Sequence, residues 1–108
     1  MVISEVQHII DSLEHKFPKS FIFVLDSTDR SFMYKSSNRH DCSEEIVRID
    51  QQYGIDQLMS GLTFFMHREK SNRLLLKKVD DNSFLGACFL SKEYDDELLM
   101  RAKEILIK

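Results

Sequence analysis

The stretch SNRLLLKKVDDNSFLGACFLS, residues 71–91, decides the fold. Residues 73–79 and 83–90 read as two strands joined by Asp80-Asp81-Asn82, residue types that form turns by bonding their own backbone. The second run is apolar and uncharged from Phe84 to Leu90. A strand with one wet face alternates polar and apolar residues, whereas an unbroken apolar run is covered on both faces. Phe21-Ile22-Phe23-Val24-Leu25 has the same character. Two doubly covered strands require helices on both sides of one sheet. The expected architecture is therefore a three-layer α/β/α sandwich of the α+β class around a mostly antiparallel sheet.

The other elements follow outward from this hairpin. Val2, Val6, Ile9, Leu13 and Phe17 recur at helical spacing, with Ile3 and Ile10 beside them. They define a helix over residues 2–17, with capping-box spacing between Ser4 and Gln7. Pro18 closes it, because a proline pushes the residue before it out of the α region. Asp26-Ser27-Thr28-Asp29-Arg30 is a turn by composition, and residues 31–36 form a more polar strand suited to a sheet edge. Asp41 with Glu44, or Ser43 alone, caps the next helix, on which Ile46, Ile49 and Tyr53 share a face. Past Gly54 the apolar residues Ile55, Leu58, Met59 and Leu62 lie roughly 180° around from that face at ~100° per residue. Either the helix kinks at Gly54 or it buries two faces against two surfaces. Thr63-Phe64-Phe65-Met66-His67 reads as a third strand and residues 68–72 as a polar turn. Residues 93–108 form a last helix with Leu98, Leu99, Ala102, Ile105 and Leu106 on its stripe and Asp95 or Asp96 at its cap. The order is α-β-β-α-β-β-β-α in one domain, residues 1–108.

Composition narrows the class. A chain of 108 residues buries roughly two thirds of its unfolded surface and needs no staples. Its 43% hydrophobic and 31% charged residues match a soluble globular domain. No apolar run approaches the ~20 residues of a membrane helix, and MVISEVQHII lacks the basic start of a secretory signal. Cys42 and Cys88 form no CxxC pair, and Cys88 reads as a small buried hydrophobe, so the expected compartment is reducing and cytoplasmic. A net charge of -3 argues against nucleic-acid binding by the whole surface. Arg68, Lys70, Arg73, Lys77 and Lys78 against Glu69 make one local basic segment. Lysines on strands near a sheet edge commonly serve solubility; the competing use is an anionic partner or a membrane surface.

With the elements in place, the chain resembles the roadblock/dynein light-chain family over nearly its whole length. Val24-Leu25-Asp26-Ser27-Thr28-Asp29-Arg30-Ser31-Phe32 is similar to the family's first hairpin, except that Arg30 stands where the family often has glycine. Residues 74–90, followed by Ser91-Lys92-Glu93 and a charged amphipathic helix, resemble its C-terminal half. The resemblance implies strand order 2-1-5-4-3, with the first and last helices on one face and the middle helix on the other. It implies pairing through the middle helix and third strand, as a homodimer or as a heterodimer with a related domain. It also implies a noncatalytic scaffold or regulator of a small GTPase or larger complex, reaching membranes only through partners. In that order the third strand is an edge, yet Phe64-Phe65-Met66 carries apolar side chains to both faces, a liability that proteins cover or charge. The expected interface is Ile55, Leu58, Met59, Phe64, Phe65, Met66 and His67; the alternative is that both patches belong to the core of the single chain.

Recognisable catalytic chemistry is absent from the sequence. Three glycines, Gly54, Gly61 and Gly86, are too few and too scattered for a phosphate-binding loop. No serine sits in a nucleophile elbow. His8, His15, His40 and His67 fall on separate elements, and His40, Cys42 and Glu44 lack the spacing of a structural zinc site. Asp80-Asp81 reads as a turn former rather than a catalytic pair. His67 reads as an interface-rim residue before a pH-sensitive one. The phenylalanines lack basic residues interleaved with them, so base stacking is not expected. The chain is read as a nonenzyme without cofactor or metal. The competing class is a small-molecule sensor of profilin-like fold, which needs a pocket with convergent polar groups.

Overall fold

An unbroken apolar strand must send alternate side chains to opposite layers, and β1 (Phe21–Asp26) and β5 (Ser83–Leu90) do so. The computed structural model describes residues 6–37, 41–69, 72–90 and 92–107. Five strands form one antiparallel sheet in the order β2-β1-β5-β4-β3, with β2 at Phe32–Lys35, β3 at Phe64–Glu69 and β4 at Asn72–Asp80. Ile22, Val24, Leu75, Leu85, Ala87 and Phe89 meet α1 (Gln7–Lys16) and α4 (Asp96–Ile107) on one side. Phe21, Phe23, Leu25, Leu74, Leu76, Phe84 and Cys88 meet α2 (Ser43–Tyr53) and the short α3 (Ile55–Leu58) on the other. The three layers and the strand order are those expected.

Each layer is locked differently. On the α1/α4 side, Phe17, Phe89 and Tyr94 form an edge-to-face trio with centroids 5.5 Å apart, a geometry worth ~1 kcal/mol per pair beyond burial. The Tyr94 hydroxyl accepts the Lys19 N–H at 2.8 Å, so the buried ring keeps a partner for its polar end. On the α2 side, Phe21 and Phe23 stack and Phe32 meets both edge-on. Gly86 makes this possible. A Cβ there would lie 2.2 Å from the tip of the Phe23 ring.

Gly54 settles the phase change between residues 53 and 55. Its φ of 77° ends α2, and the Gly54 N–H still bonds Asp50 O at 2.8 Å. The chain then restarts as α3 with a new phase. Ile55 and Met59 return to the same core as Ile46 and Ile49. The break replaces the second buried surface that a continuous helix would have needed.

Arg30 explains the departure from glycine in the first hairpin. It is the only non-glycine residue with positive φ among those described, at 61°. This region costs a branched or long side chain ~1 kcal/mol relative to glycine. The side chain compensates by tying three elements together. Nε lies 3.1 and 3.2 Å from the two Asp50 oxygens, Nη2 lies 2.6 Å from Asp56, and Nη1 donates to the Ser27 carbonyl. Asp50 also accepts the Ile55 N–H at 2.9 Å, so the clasp covers the α2–α3 break.

Several boundaries move. The helix position before α2 is held by Cys42, with no side-chain cap, and Asp41 instead receives the Ser43 N–H at 2.8 Å from one residue further out. Asp95 caps α4 through the Leu98 N–H at 2.9 Å. Arg68 and Glu69 extend β3 rather than belonging to a turn, because they pair with Arg73 and Asn72. Ser4, with its expected capping box, and His40 lie outside the described residues. No helix among the described residues is long and apolar enough to cross a membrane.

Candidate functional site

The sheet has two free edges, and their side chains differ. β3 is six residues long, pairs with β4 without a register shift, and has no strand beyond it among the described residues. Its backbone donors and acceptors on that side form an open ladder, the usual template for strand addition. The apolar side chains split by parity. Phe64 packs against the α1/α4 core and Phe65 against the α2/α3 core, each half-buried. Met66 is 49% exposed.

On the α2 side, His67 lies 5.3 Å from Tyr53 and 6.4 Å from Phe65 between ring centroids, and Tyr53 is itself 46% exposed. Leu58 is half-buried and Leu62 is exposed. On the α4 side, Met66 and Met100 border a groove of about 290 Å³ whose charged rim is Arg68, Arg73, Lys103 and Asp96. Lys103 Nζ sits 5.2 Å over the Phe64 ring. An apolar strip thus runs along the open strand, with a charged rim on its α4 side.

The seven expected interface residues divide. Leu58, Phe64, Phe65, Met66 and His67 gather along this edge and the helical segment that feeds it. Ile55 at 0% and Met59 at 4% exposure are buried in the chain's own core. They can influence a partner only through the shape of α3. Leu62, read in the sequence as part of the apolar patch after Gly54, and Tyr53, read there only as part of the helix face, are exposed apolar neighbours of this edge. Of the basic segment, Arg68 is exposed, Lys78 pairs with Asp81 at 3.9 Å, and Lys70 lies outside the described residues.

The opposite edge is quieter. β2 has four residues and a register shift against β1, so that Phe32 faces Leu25, Tyr34 faces Val24, and Met33 bulges outward. Tyr34 donates its hydroxyl to Glu14 on α1. Desolvation and that carboxylate together push the phenol up to about 12.

A separate polar cluster lies under the α2 side. Cys42 is buried and Glu44 exposed, and His40, the third member of the trio read from the sequence, lies outside the described residues. Glu45, three residues after Cys42, turns inward instead. One donor atom each from Cys42, Glu45 and Cys88 lie within 4.8 Å of one another. The hydrogen bond between the two thiols draws Cys42 below the usual thiol range. The Cys42–Glu45 spacing of one helical turn was readable in the sequence; the arrival of Cys88 from β5 was not.

No family model matches the chain, and no curated protein matches it. Solved structures do. MglB of Myxococcus xanthus superposes with a TM-score of 0.59 at 13% identity, covering 99% of this chain and 93% of that one. MglC of Myxococcus xanthus gives 0.58 at 9% identity, covering 94% and 97%. An MglB described as having a tetrameric arrangement gives 0.58 at 8% identity, covering 93% and 83%. At these identities the likeness shows the fold, which is roadblock-like.

Proposed function

We propose that the chain is a noncatalytic, dimerising scaffold that joins a second copy, or a related domain, along β3 and presents the joined sheet to a small GTPase or a larger complex. The observation that carries this reading is the six-residue, unbulged edge strand with Phe64, Phe65 and Met66 on both of its faces. Edge-to-edge pairing supplies the missing ladder of hydrogen bonds and covers the apolar strip together. The roadblock-like fold supports the general kind, and the tetrameric arrangement described for one MglB supports pairing between such domains. The GTPase follows from the sequence's resemblance to roadblock domains, whose work is recognition rather than bond chemistry.

The test is mass in solution combined with capture of GTPases loaded with either GDP or a nonhydrolysable GTP analogue. A dimer that retains a small GTPase in one nucleotide state is the expected result. A monomer at every accessible concentration that retains no GTPase in either state overturns the reading. Tight retention of a metabolite in its place would put the chain in the sensor class.

A further inference from the structure

We propose that Cys42, Glu45 and Cys88 form a binding site for a thiophilic divalent cation, Zn²⁺ by its chemistry, between the start of α2 and the central strand β5. Three donors of the right kind converge. Cys42 and Cys88 are each 4% exposed, and their sulfurs lie within 4.8 Å of the Glu45 carboxylate and of each other. Tetrahedral zinc holds its ligands ~3.3–3.8 Å apart, given bonds of about 2.0–2.3 Å, so a small side-chain adjustment closes the site. Two thiols and an oxygen suit a borderline-soft cation and not Mg²⁺ or Ca²⁺, which take oxygen sets.

Two further features point to a ligand. Glu45 is held from outside by the Asn72 side-chain amide, which donates to its Oε2. Such a partner fixes a metal-binding carboxylate in place. Beside the cluster is a cavity of about 10 Å³ lined by Glu45, Asn72, Cys88 and His67 and by three apolar side chains, which is room for about one water-sized group. Among the described residues, His67 Nε2 is buried and has no hydrogen-bond partner. A buried ring nitrogen without a partner is costly. It lies outside the 4.8 Å group, so it would complete the coordination through one water in the cavity. His67, Leu74 and Cys88 stand on one rung of the sheet, so the histidine reaches the site across Leu74 from β3.

The site stands independently of the dimerisation reading, since all its donors come from one chain. It would also tie β3 to the centre of the sheet. The test is titration of the reduced chain with Co²⁺ and with Zn²⁺ against a chromophoric chelator. One Co²⁺ per chain is expected, with a thiolate-to-metal charge-transfer band, and Zn²⁺ should displace it. Cys88→Ala and Cys42→Ala should each lower Zn²⁺ affinity by ~100-fold or more, and Asn72→Ala, which removes only the outer partner, by ~10-fold. Glu45→Gln, a half-buried and nearly isosteric change, guards against a cysteine variant that fails to fold, and it should weaken binding comparably to a lost ligand. The inference is overturned if the wild-type chain gives no charge-transfer band. It is equally overturned if Zn²⁺ binding survives Glu45→Gln and Cys88→Ala unchanged, or if the two cysteines oxidise to a disulfide while the reduced chain binds no metal.

Discussion

The two edges of the sheet pose the same physical problem and answer it in opposite ways. Among the described residues, each leaves one row of backbone donors and acceptors without a neighbouring strand. β2 answers locally. It is four residues long, a bulge at Met33 breaks its ladder, and its aromatic residues turn inward to opposite layers. Short length and a bulge are devices that stop a strand from templating another. β3 has neither device. It is six residues long, regular, and keeps Phe64, Phe65 and Met66 along an open ladder. A fold that can disarm an edge has disarmed only one, which is the physical case for a partner on the other.

The largest effect is expected where both edges depend on the same residue. Gly86 pairs with Phe23 of β1 and with Leu76 of β4, so the halves of the sheet that carry β2 and β3 meet across it. A Cβ at this position would come 2.2 Å from the Phe23 ring tip, and that ring is fully buried and hemmed in by Phe21 and Phe32. Gly86→Ala should therefore destabilise the chain by ~3 kcal/mol, the upper end of overpacking costs, lowering the melting temperature by more than about 10 °C. Thermal unfolding followed by circular dichroism checks this. A shift within about 2 °C would mean that Phe23 does not rest on Gly86, and the common support of the two edges would be lost.

How much of this contrast was legible in the sequence depends on the range of the interaction that decides it. The central strands were, because an unbroken apolar run such as Phe84–Leu90 has one physical reading. The polar character of β2 was visible too, but its bulge was not, since a register shift is set by the partner strand. The region after Gly54 shows the limit most clearly. Counting ~100° per residue across it left two readings open for Ile55 and Met59, a kink at Gly54 or a second buried surface. The positive φ of Gly54 resets the count and returns both to the first core. Arg30 in the same conformation stood out only as a departure from glycine; its stabilising partners, Asp50 and Asp56, lie 20 and 26 residues away and left no local signal. The metal-type cluster was missed for the same reason: Cys88 meets Cys42 only once the sheet is built.

A matched pair of substitutions breaks the comparison between edges directly. Met66 on β3 and Met33 on β2 are similar side chains, 49% and 38% exposed, on opposite edges. Met66→Glu places a charge in the centre of the proposed contact and should weaken self-association by ~10–100-fold, about 1.4–2.8 kcal/mol. Met33→Glu should leave it unchanged, and neither should move the melting temperature of the monomer by more than a few degrees. Phe65→Glu is the poorer probe, because Phe65 also packs against the α2/α3 core and would cost folding as well as pairing. Sedimentation velocity over a concentration series reads both variants. Equal behaviour of the two would show that the edges are not distinguished by pairing.

The smallest effect sharpens how the quiet edge is fastened. Arg30 closes the turn that leads into β2, and its guanidinium holds both Asp50 at the end of α2 and Asp56 on α3, the segment that leads towards β3. The Asp56 side chain is 63% exposed, so that contact is worth little, while Asp50 at 20% is sheltered and bonded through both oxygens. Arg30→Ala loses the clasp and keeps the unfavourable backbone, for a loss of ~1–2 kcal/mol. Arg30→Gly loses the same clasp and recovers ~1 kcal/mol, because glycine adopts positive φ without strain. The expected order of stability in urea is therefore wild type, then Arg30→Gly, then Arg30→Ala, with the gap between wild type and Arg30→Ala narrowing at high salt as the ion pair is screened. If Arg30→Gly matched or exceeded wild type, the contacts to Asp50 and Asp56 would contribute no more than the strain they accompany. The turn would then be held by its backbone alone. In neither variant should self-association change, since the clasp acts within one chain and on the edge that no partner is expected to cover.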